Sequence, residues 1–174
     1  MTPEFRPTDV AVTAAVVASL VAGSQTDFSD VRLAVQPRAP AFSIWIAIYF
    51  LLLLSDPPAD AAVPLVASLV LTVVWARTVT VSASTSASVL WASTLGAWVA
   101  LYVAGESPLW PTRLALGVYA GWLGVASVLG LALARPEWDH PTTLWAGVAA
   151  VVVASASLGE WTPLVAVGWA LVWR

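Results

Sequence analysis

The chain has 174 residues, of which 60% are hydrophobic and only 10% are charged, and its formal net charge is −3. A soluble domain of this size cannot bury such long apolar runs, so the composition predicts an integral membrane protein. The sequence contains no lysine, no cysteine and one histidine, which excludes Schiff bases, disulfides, thiolate nucleophiles and cysteine metal sites. A seven-helix retinal protein is excluded as well, because no lysine is present to bind the chromophore.

Seven apolar stretches approach the ~20 residues that a helix needs to cross a membrane. Clusters with proline, glycine or charged residues separate most of them, and none keeps the alternation of a lipid-facing strand. The sequence therefore predicts an all-α, polytopic transmembrane helical bundle, whose last helix is short for a span. The predicted helices cover residues 8–23, 39–55, 61–77, 84–104, 111–134, 142–158 and 161–174.

The first stretch has a second interpretation. Arg6 precedes its apolar run and small residues follow at 22–24, as in a cleavable signal peptide. However, Glu4 and Asp9 flank the run, and a single arginine makes a weak positively charged region. We therefore expect this helix to be retained.

The arginines predict the orientation of the bundle. With seven spans, five arginines fall on one side of the membrane and two on the other. The positive-inside rule then places the N-terminus outside and the C-terminus in the cytoplasm, in a plasma membrane. The larger group is Arg32, Arg38, Arg77, Arg135 and Arg174, and the smaller group is Arg6 and Arg113.

Small residues recur at every fourth position of several predicted helices. In lipid, such residues permit the close backbone approach that holds helices together. Tight packing inside one bundle explains most of them, and a homodimer seam along the fourth helix is the alternative use. That fourth-helix stripe is Ser84, Ser88, Ala92, Gly96 and Ala100, and similar ridges are Gly117/Gly121, Ala126/Gly130/Ala134 and Ala146/Ala150/Ala154.

The eleven tryptophans divide by their depth in the predicted helices. Rings near helix ends are typical interfacial anchors, whereas rings at mid-helix need a partner for the indole N–H or a polar cavity. A cluster of deep rings predicts a flat aromatic pocket, although rings that only fill bundle volume give the same pattern. The anchors are Trp110, Trp138, Trp145, Trp161 and Trp173, and the deep rings are Trp45, Trp75, Trp91, Trp98, Trp122 and Trp169.

Two predicted helices carry a tyrosine and a tryptophan on one face. Trp45 and Tyr49 are four residues apart in the second helix, and Tyr119 and Trp122 are three apart in the fifth, with Ala126 on the same face. The tyrosine hydroxyls are able to orient a polar group of a ligand. These pairs favour the pocket interpretation.

The two motifs resemble those of the tryptophan-rich sensory protein/translocator protein (TspO/MBR) family. Phe-Ser-Ile-Trp45-x-x-x-Tyr49, after a proline-bearing loop, is similar to the family's second-helix motif, and Tyr119-x-Gly-Trp122 is similar to its fifth-helix motif. The resemblance covers residues 1–134 as a translocator-like five-helix unit. Residues 135–174 would be additional transmembrane helices, as in longer relatives.

Two positions depart from the family's usual pattern. Thr72, three residues before Trp75, and Gly130, at the end of the fifth-helix motif, stand where the family tends to have asparagine. The fold is unaffected by this difference, but the hydrogen-bonding capacity of the pocket is reduced, so the resemblance leaves the ligand set open.

The resemblance implies a pocket that opens toward one membrane face and binds a porphyrin, a heme-like tetrapyrrole, a sterol or a similar hydrophobic molecule. Relatives are described as sensors or regulators, as transporters and as promoters of porphyrin breakdown. No protein-bound cofactor or metal is expected, nor a nucleic-acid partner. The expected ligand-binding residues are Trp45, Tyr49, Trp75, Trp91, Trp98, Tyr119, Trp122, Ala126 and Arg38.

The ionisable residues add little to the choice among functions. Arg77, at a helix end, is expected to reach the membrane interface, although it and Arg38 are each able to pair with a ligand carboxylate. His140 lies beside Glu137 and Asp139 in a loop that we expect to be solvated. No acid lies inside a span and no internal repeat is evident, which disfavours proton-coupled transport. General acid–base catalysis also has few candidate residues, so a binding protein is expected before an enzyme.

Overall fold

The computed structural model describes residues 6–26, 43–105, 110–135, 137–138 and 140–172. Within these ranges the chain is helical and contains no strand, which confirms the predicted all-α class. The seven helices follow the predicted stretches closely. They are α1 (Pro7–Ser24), α2 (Ile44–Leu54), α3 (Ala59–Thr78), α4 (Ala83–Ala104), α5 (Trp110–Ala134), α6 (His140–Ser157) and α7 (Pro163–Val172).

Four helices, α1, α3, α4 and α5, are long and apolar enough to cross a membrane, as judged by length and composition. The other three are shorter. The 11 residues of α2 and the 10 of α7 extend only about 16 and 15 Å at 1.5 Å per residue, against a hydrocarbon core of ~30 Å. The membrane class is therefore supported by four helices, and the last helix is short, as the sequence predicts. Residues 39–42, predicted as the start of the second helix, lie outside the described ranges.

Contacts at the two ends of the bundle show that helices adjacent in sequence alternate in direction. At one end, Arg6 before α1 pairs with Asp56 after α2, and the Asp56 amide donates to Thr112 Oγ1 in the first turn of α5 at 2.9 Å. At the other end, Arg77 in the last turn of α3 donates to Gln25 Oε1 after α1 at 2.9 Å. We call these the Arg6 end and the Arg77 end.

The central element is α5, which packs against α2, α4, α6 and α7. Its middle is buried on every side: residues 115–125 are all buried. A membrane helix that shows no broad lipid-facing stripe must be surrounded by protein, which is why the remaining helices are arranged around it. Helix α3 packs against α4 and α1, and its Ser68 and Thr72 hydroxyls reach Tyr119 of α5.

Two glycines of α5 let the start of α7 approach its backbone. A Cβ built on Gly117 would lie 1.7 Å from Thr162 Oγ1, and one built on Gly121 would lie 2.2 Å from the Pro163 carbonyl oxygen. No side chain fits at either position without moving the neighbouring chain. The Gly117/Gly121 ridge therefore packs inside the bundle, as expected for small residues in lipid.

The predicted small-residue stripe of α4 is divided between two environments. Ala100 is buried, and a Cβ on Gly96 would lie 3.1 Å from both the Pro64 oxygen and the Ser68 Cβ of α3. In contrast, Ser84, Ser88 and Ala92 are exposed. The half of the stripe nearer the Arg6 end thus packs within the chain, and the half nearer the Arg77 end faces outward. On α6, Ala146 and Ala150 are exposed, and Gly147 contacts Val128 instead.

Candidate functional site

The two tyrosine–tryptophan pairs meet in one aromatic cluster between α2 and α5, formed by Trp45, Tyr49, Tyr119 and Trp122. Trp45 is its centre. Its ring stacks on Tyr49, with centroids 5.5 Å apart and planes at 23°, and it meets Tyr119 and Trp122 edge-on at 6.4 and 6.2 Å. Stacked and edge-to-face contacts in this range are the favoured arrangements of aromatic rings. Helical spacing placed each pair on one face, and the packing of α2 on α5 joins the pairs.

A cavity of about 380 Å³ lies beside this cluster, between α1, α2 and α3. Trp45 and Tyr49 form its α2 wall and Trp75 its α3 wall, and Gly23 leaves space on the α1 side. An added Cβ on Gly23 would meet no atom within 4 Å. The cavity is formed by the last turns of α1 and α3 and the first turns of α2, so it lies toward the Arg77 end. Its lining, which we call the aromatic cavity, is Ser19, Leu20, Gly23, Ser24, Trp45, Ile46, Tyr49, Thr72, Trp75 and Ala76.

A buried hydroxyl cluster of Ser68, Thr72, Ser93 and Tyr119 adjoins the aromatic cluster. The Tyr119 hydroxyl lies 3.0 Å from both Ser68 Oγ and Thr72 Oγ1, and Ser93 Oγ lies 3.1 and 3.0 Å from the same two atoms. Three of the four also donate to backbone carbonyls: Ser68 to Ser93, Ser93 to Ser68, and Thr72 to Ser68. The cluster thus links α3, α4 and α5, as polar side chains do between helices in lipid.

Thr72 joins the two features. It lines the aromatic cavity, and its hydroxyl belongs to the hydroxyl cluster. It also occupies the position at which we noted the absence of an asparagine. A threonine there donates to the Ser68 carbonyl of its own helix at 3.1 Å, so most of its hydrogen-bonding capacity is used inside the protein. The residues of the cavity wall that carry hydroxyl groups are Ser19, Ser24, Tyr49 and Thr72, beside the indole N–H groups of Trp45 and Trp75.

The other expected site residues lie apart from the cavity. Trp91 is 39% exposed and lines a different groove, between α4 and α5. Trp98 is half-buried beside Gly124, where an added Cβ would be 3.9 Å from its Nε1, and Ala126 is half-buried on α5. Arg38 lies outside the described residues. The predicted list therefore separates into one group around the aromatic cavity and three scattered positions.

Among the described tryptophans, the predicted anchors are all more exposed than the predicted deep rings, although two of the deep rings also lie at the surface. Trp169, at mid-helix in α7, is 37% exposed, close to the exposure of Trp91. The helix-end rings are also exposed, and Trp173 lies outside the described residues. The exposed helix-end tryptophans are Trp110, Trp138, Trp145 and Trp161.

A partly buried ion pair at the Arg6 end was not predicted from the sequence. Glu160, 5% exposed in the turn between α6 and α7, accepts a hydrogen bond from Arg113 Nε through one oxygen. Its other oxygen accepts from the Thr162 amide at 3.1 Å and hydroxyl at 2.9 Å. Burial alone would raise the pKa of Glu160. The hydrogen bonds from Arg113 and Thr162 outweigh burial and hold the pKa below its ordinary value of 4.5.

The geometry of this ion pair indicates a structural role. It fixes the turn that seats Thr162 and Pro163 against the two glycines of α5, and both carboxylate oxygens are engaged. Among the residues that the structure describes, no three histidine, cysteine or acidic side chains are grouped to hold a metal ion. The aromatic cavity, with its hydroxyl groups, is the candidate site for recognition. No protein-family model, no curated protein and no solved structure matches the chain.

Proposed function

We propose that the protein binds a planar or polycyclic hydrophobic molecule in the aromatic cavity, and that it acts as a sensor, regulator or carrier of that molecule. The observation that carries the proposal is the cavity of about 380 Å³ walled by Trp45, Tyr49 and Trp75. Small-molecule sites are concave, mostly apolar and supplied with a few placed polar groups, and their volumes are ~300–1,000 Å³. The aromatic cavity has each of these properties.

The lining favours a flat ring system over a flexible chain. Trp45 is already held by edge contacts with Tyr119 and Trp122, so its exposed face is rigid and costs little conformational entropy on binding. The volume is near the lower end of the usual range. A sterol or tetrapyrrole would therefore insert one edge and leave the remainder at the mouth, near Ser24 and the Arg77 end.

We also propose that the chain is related to the TspO/MBR family. The contact between the two tyrosine–tryptophan pairs supports a TspO/MBR-like five-helix unit over residues 1–134, with residues 135–174 as additional helices. The arginine distribution supports an orientation with the N-terminus outside. In that orientation the aromatic cavity opens toward the cytoplasm.

The test is ligand titration of the purified protein in detergent, followed through the absorbance of protoporphyrin and through displacement by a sterol. Gly23→Leu is the most informative variant, because its side chain enters the cavity without removing any aromatic group. We expect it to abolish binding while the thermal midpoint is unchanged. Gly168→Leu is the matched control, since an added Cβ there also meets nothing within 4 Å and the residue does not line the cavity.

Substitution of an aromatic residue in the cavity wall is the second part of the test. Trp75→Leu should weaken binding, whereas Trp145→Leu, an exposed ring outside the cavity, should leave it unchanged. Binding that is equal in Gly23→Leu and in the wild type would refute the site. Illumination of the bound complex, followed by loss of porphyrin absorbance, would distinguish degradation from binding.

A further inference from the structure

A second and larger recess is lined by helices that do not line the aromatic cavity, α4 and α5. It has a volume of about 550 Å³ and lies between the first turns of α4 and the last turn of α5, at the Arg77 end. We propose that this recess, the α4–α5 groove, binds an anionic phospholipid, with the phosphate on Arg135 and the upper acyl chain along Trp91. Its lining is Ser84, Ala87, Ser88, Trp91, Leu131, Ala134 and Arg135.

The shape of the groove suits the upper part of a lipid. The small residues of its lining, Ser84, Ala87, Ser88 and Ala134, form what we call the floor of the groove. Trp91 and Leu131 are its large apolar side chains. Trp91 is eight residues into α4 from Ala83, about 12 Å along the helix axis at 1.5 Å per residue. The groove therefore runs from a cationic rim into the depth at which acyl chains begin. A ring that is 39% exposed in this position is presented to lipid.

The charge at the rim suits a phosphate. Arg135 follows directly after the last residue of α5, and its side chain is 60% exposed. Within the part of the chain that the structure describes, its ion pair is with Glu137 at 3.8 Å, and Glu137 is equally exposed. That distance is well beyond the 2.7–2.9 Å of a strong charge-assisted contact, so the pair is weak. A guanidinium in this state is available to bind a phosphate with two donors, as basic pockets between membrane helices do.

A second copy of the chain is the competing occupant, because Ser84, Ser88 and Ala92 belong to the predicted dimer stripe. The structure leaves only that half of the stripe outward, about two helical turns, since Gly96 and Ala100 pack inside the bundle. A seam of this length is short for a stable crossing of two helices. The recess is also concave, and its cationic rim would face an identical cationic rim across a two-fold axis.

The experiment uses the full chain, stripped of lipid in detergent and then equilibrated with equal amounts of phosphatidylglycerol and phosphatidylcholine of the same acyl chains. Lipid retained per protein is read by native mass spectrometry. We expect phosphatidylglycerol to be retained preferentially, and Arg135→Gln to reduce that preference about fivefold. Arg77→Gln, at the same end of the bundle but outside the groove, is the matched control and should leave the preference unchanged.

Two further variants separate the parts of the site. Ser88→Leu fills the floor with Arg135 intact and should lower retention of the anionic lipid, whereas Glu137→Gln removes the competing carboxylate and should raise it. Equal retention of the two lipids, or an equal effect of Arg77→Gln and Arg135→Gln, would overturn the proposal. A dimer that Ser88→Leu dissociates, without lipid preference in the wild type, would assign the groove to a second copy and overturn it as well.

Discussion

Gly121 offers the sharpest test of how the bundle packs, because the change required is a single methyl group. In Gly121→Ala the new Cβ would lie 2.2 Å from the Pro163 oxygen and 2.7 and 2.8 Å from the Pro163 Cα and carbonyl carbon. Ordinary contacts begin at 3.4 Å, so the start of α7 must move by about 3.4 − 2.2 = 1.2 Å. All three neighbouring atoms belong to backbone, which cannot rotate away as the end of a side chain can.

The expected cost follows from this displacement. Overpacking of a filled interior costs about 1–3 kcal/mol. Within a helix, alanine is also more favourable than glycine by about 0.5–1 kcal/mol. The control must therefore be another glycine-to-alanine change in a helix. Gly168→Ala provides it, since Gly168 lies within α7 and an added Cβ meets nothing within 4 Å. The difference between the two variants therefore isolates the packing term, about 2 kcal/mol.

The assay is thermal unfolding of the purified protein in detergent, followed by intrinsic tryptophan fluorescence. For a chain of this length, 1 kcal/mol corresponds to about 2–4 °C in the midpoint, so Gly121→Ala should melt about 4–8 °C below Gly168→Ala. Equal midpoints for the two variants would refute the close approach of α7 to α5.

Two further variants test the polar contacts. Tyr119→Phe removes the phenolic hydroxyl from the hydroxyl cluster, but the remaining hydroxyls of that cluster keep their backbone acceptors. We expect the free energy of unfolding to fall by about 0.5–1.5 kcal/mol, measured by thermal unfolding. No loss would mean that these contacts are absent. The Glu160 carboxylate has a pKa that is lower in the folded chain than its ordinary value of 4.5, so its stabilisation is present above pH 4.5 and disappears as the pH falls through the folded value. Glu160→Gln should be less stable than wild type at pH 7. When thermal midpoints are measured from pH 7 to 3, the variant should also lose less stability on acidification than the wild type. Parallel plots of midpoint against pH for the two proteins would contradict the ion pair.

The sequence predicted the helices well because each boundary is a local feature. Proline, glycine and charged residues end the apolar runs, and helical spacing alone puts Trp45 beside Tyr49 and Tyr119 beside Trp122. The meeting of those pairs depends on how α2 packs on α5, which no local pattern states. Only the structure shows that Trp45 contacts Tyr119 and Trp122.

The hydroxyl cluster and the Arg113–Glu160 pair were missed for different reasons. Serine and threonine in an apolar helix look like small packing residues, so Ser68 was not singled out and Thr72 was noted only as a departure from a family pattern. Their four-residue spacing, with Ser93 on the next helix, was a usable signal. Arg113 and Glu160 are 47 residues apart. Arg113 lies in the first turn of a predicted helix and Glu160 in a predicted polar turn, and isolated charges are ordinary at both kinds of position. Only the packing of α7 against α5 brings them together.

The seating of Thr162 and Pro163 on the two glycines of α5 has a consequence for how the chain is assembled during synthesis. Helix α5 leaves the ribosome before the segment that covers its glycine face and before the carboxylate that neutralises Arg113. Until that segment arrives, a nearly all-buried helix must rest against lipid or the insertion machinery. A nascent chain halted after Ala134 should therefore be a preferred substrate for membrane quality control, and insertion of α6 and α7 is the step that covers α5.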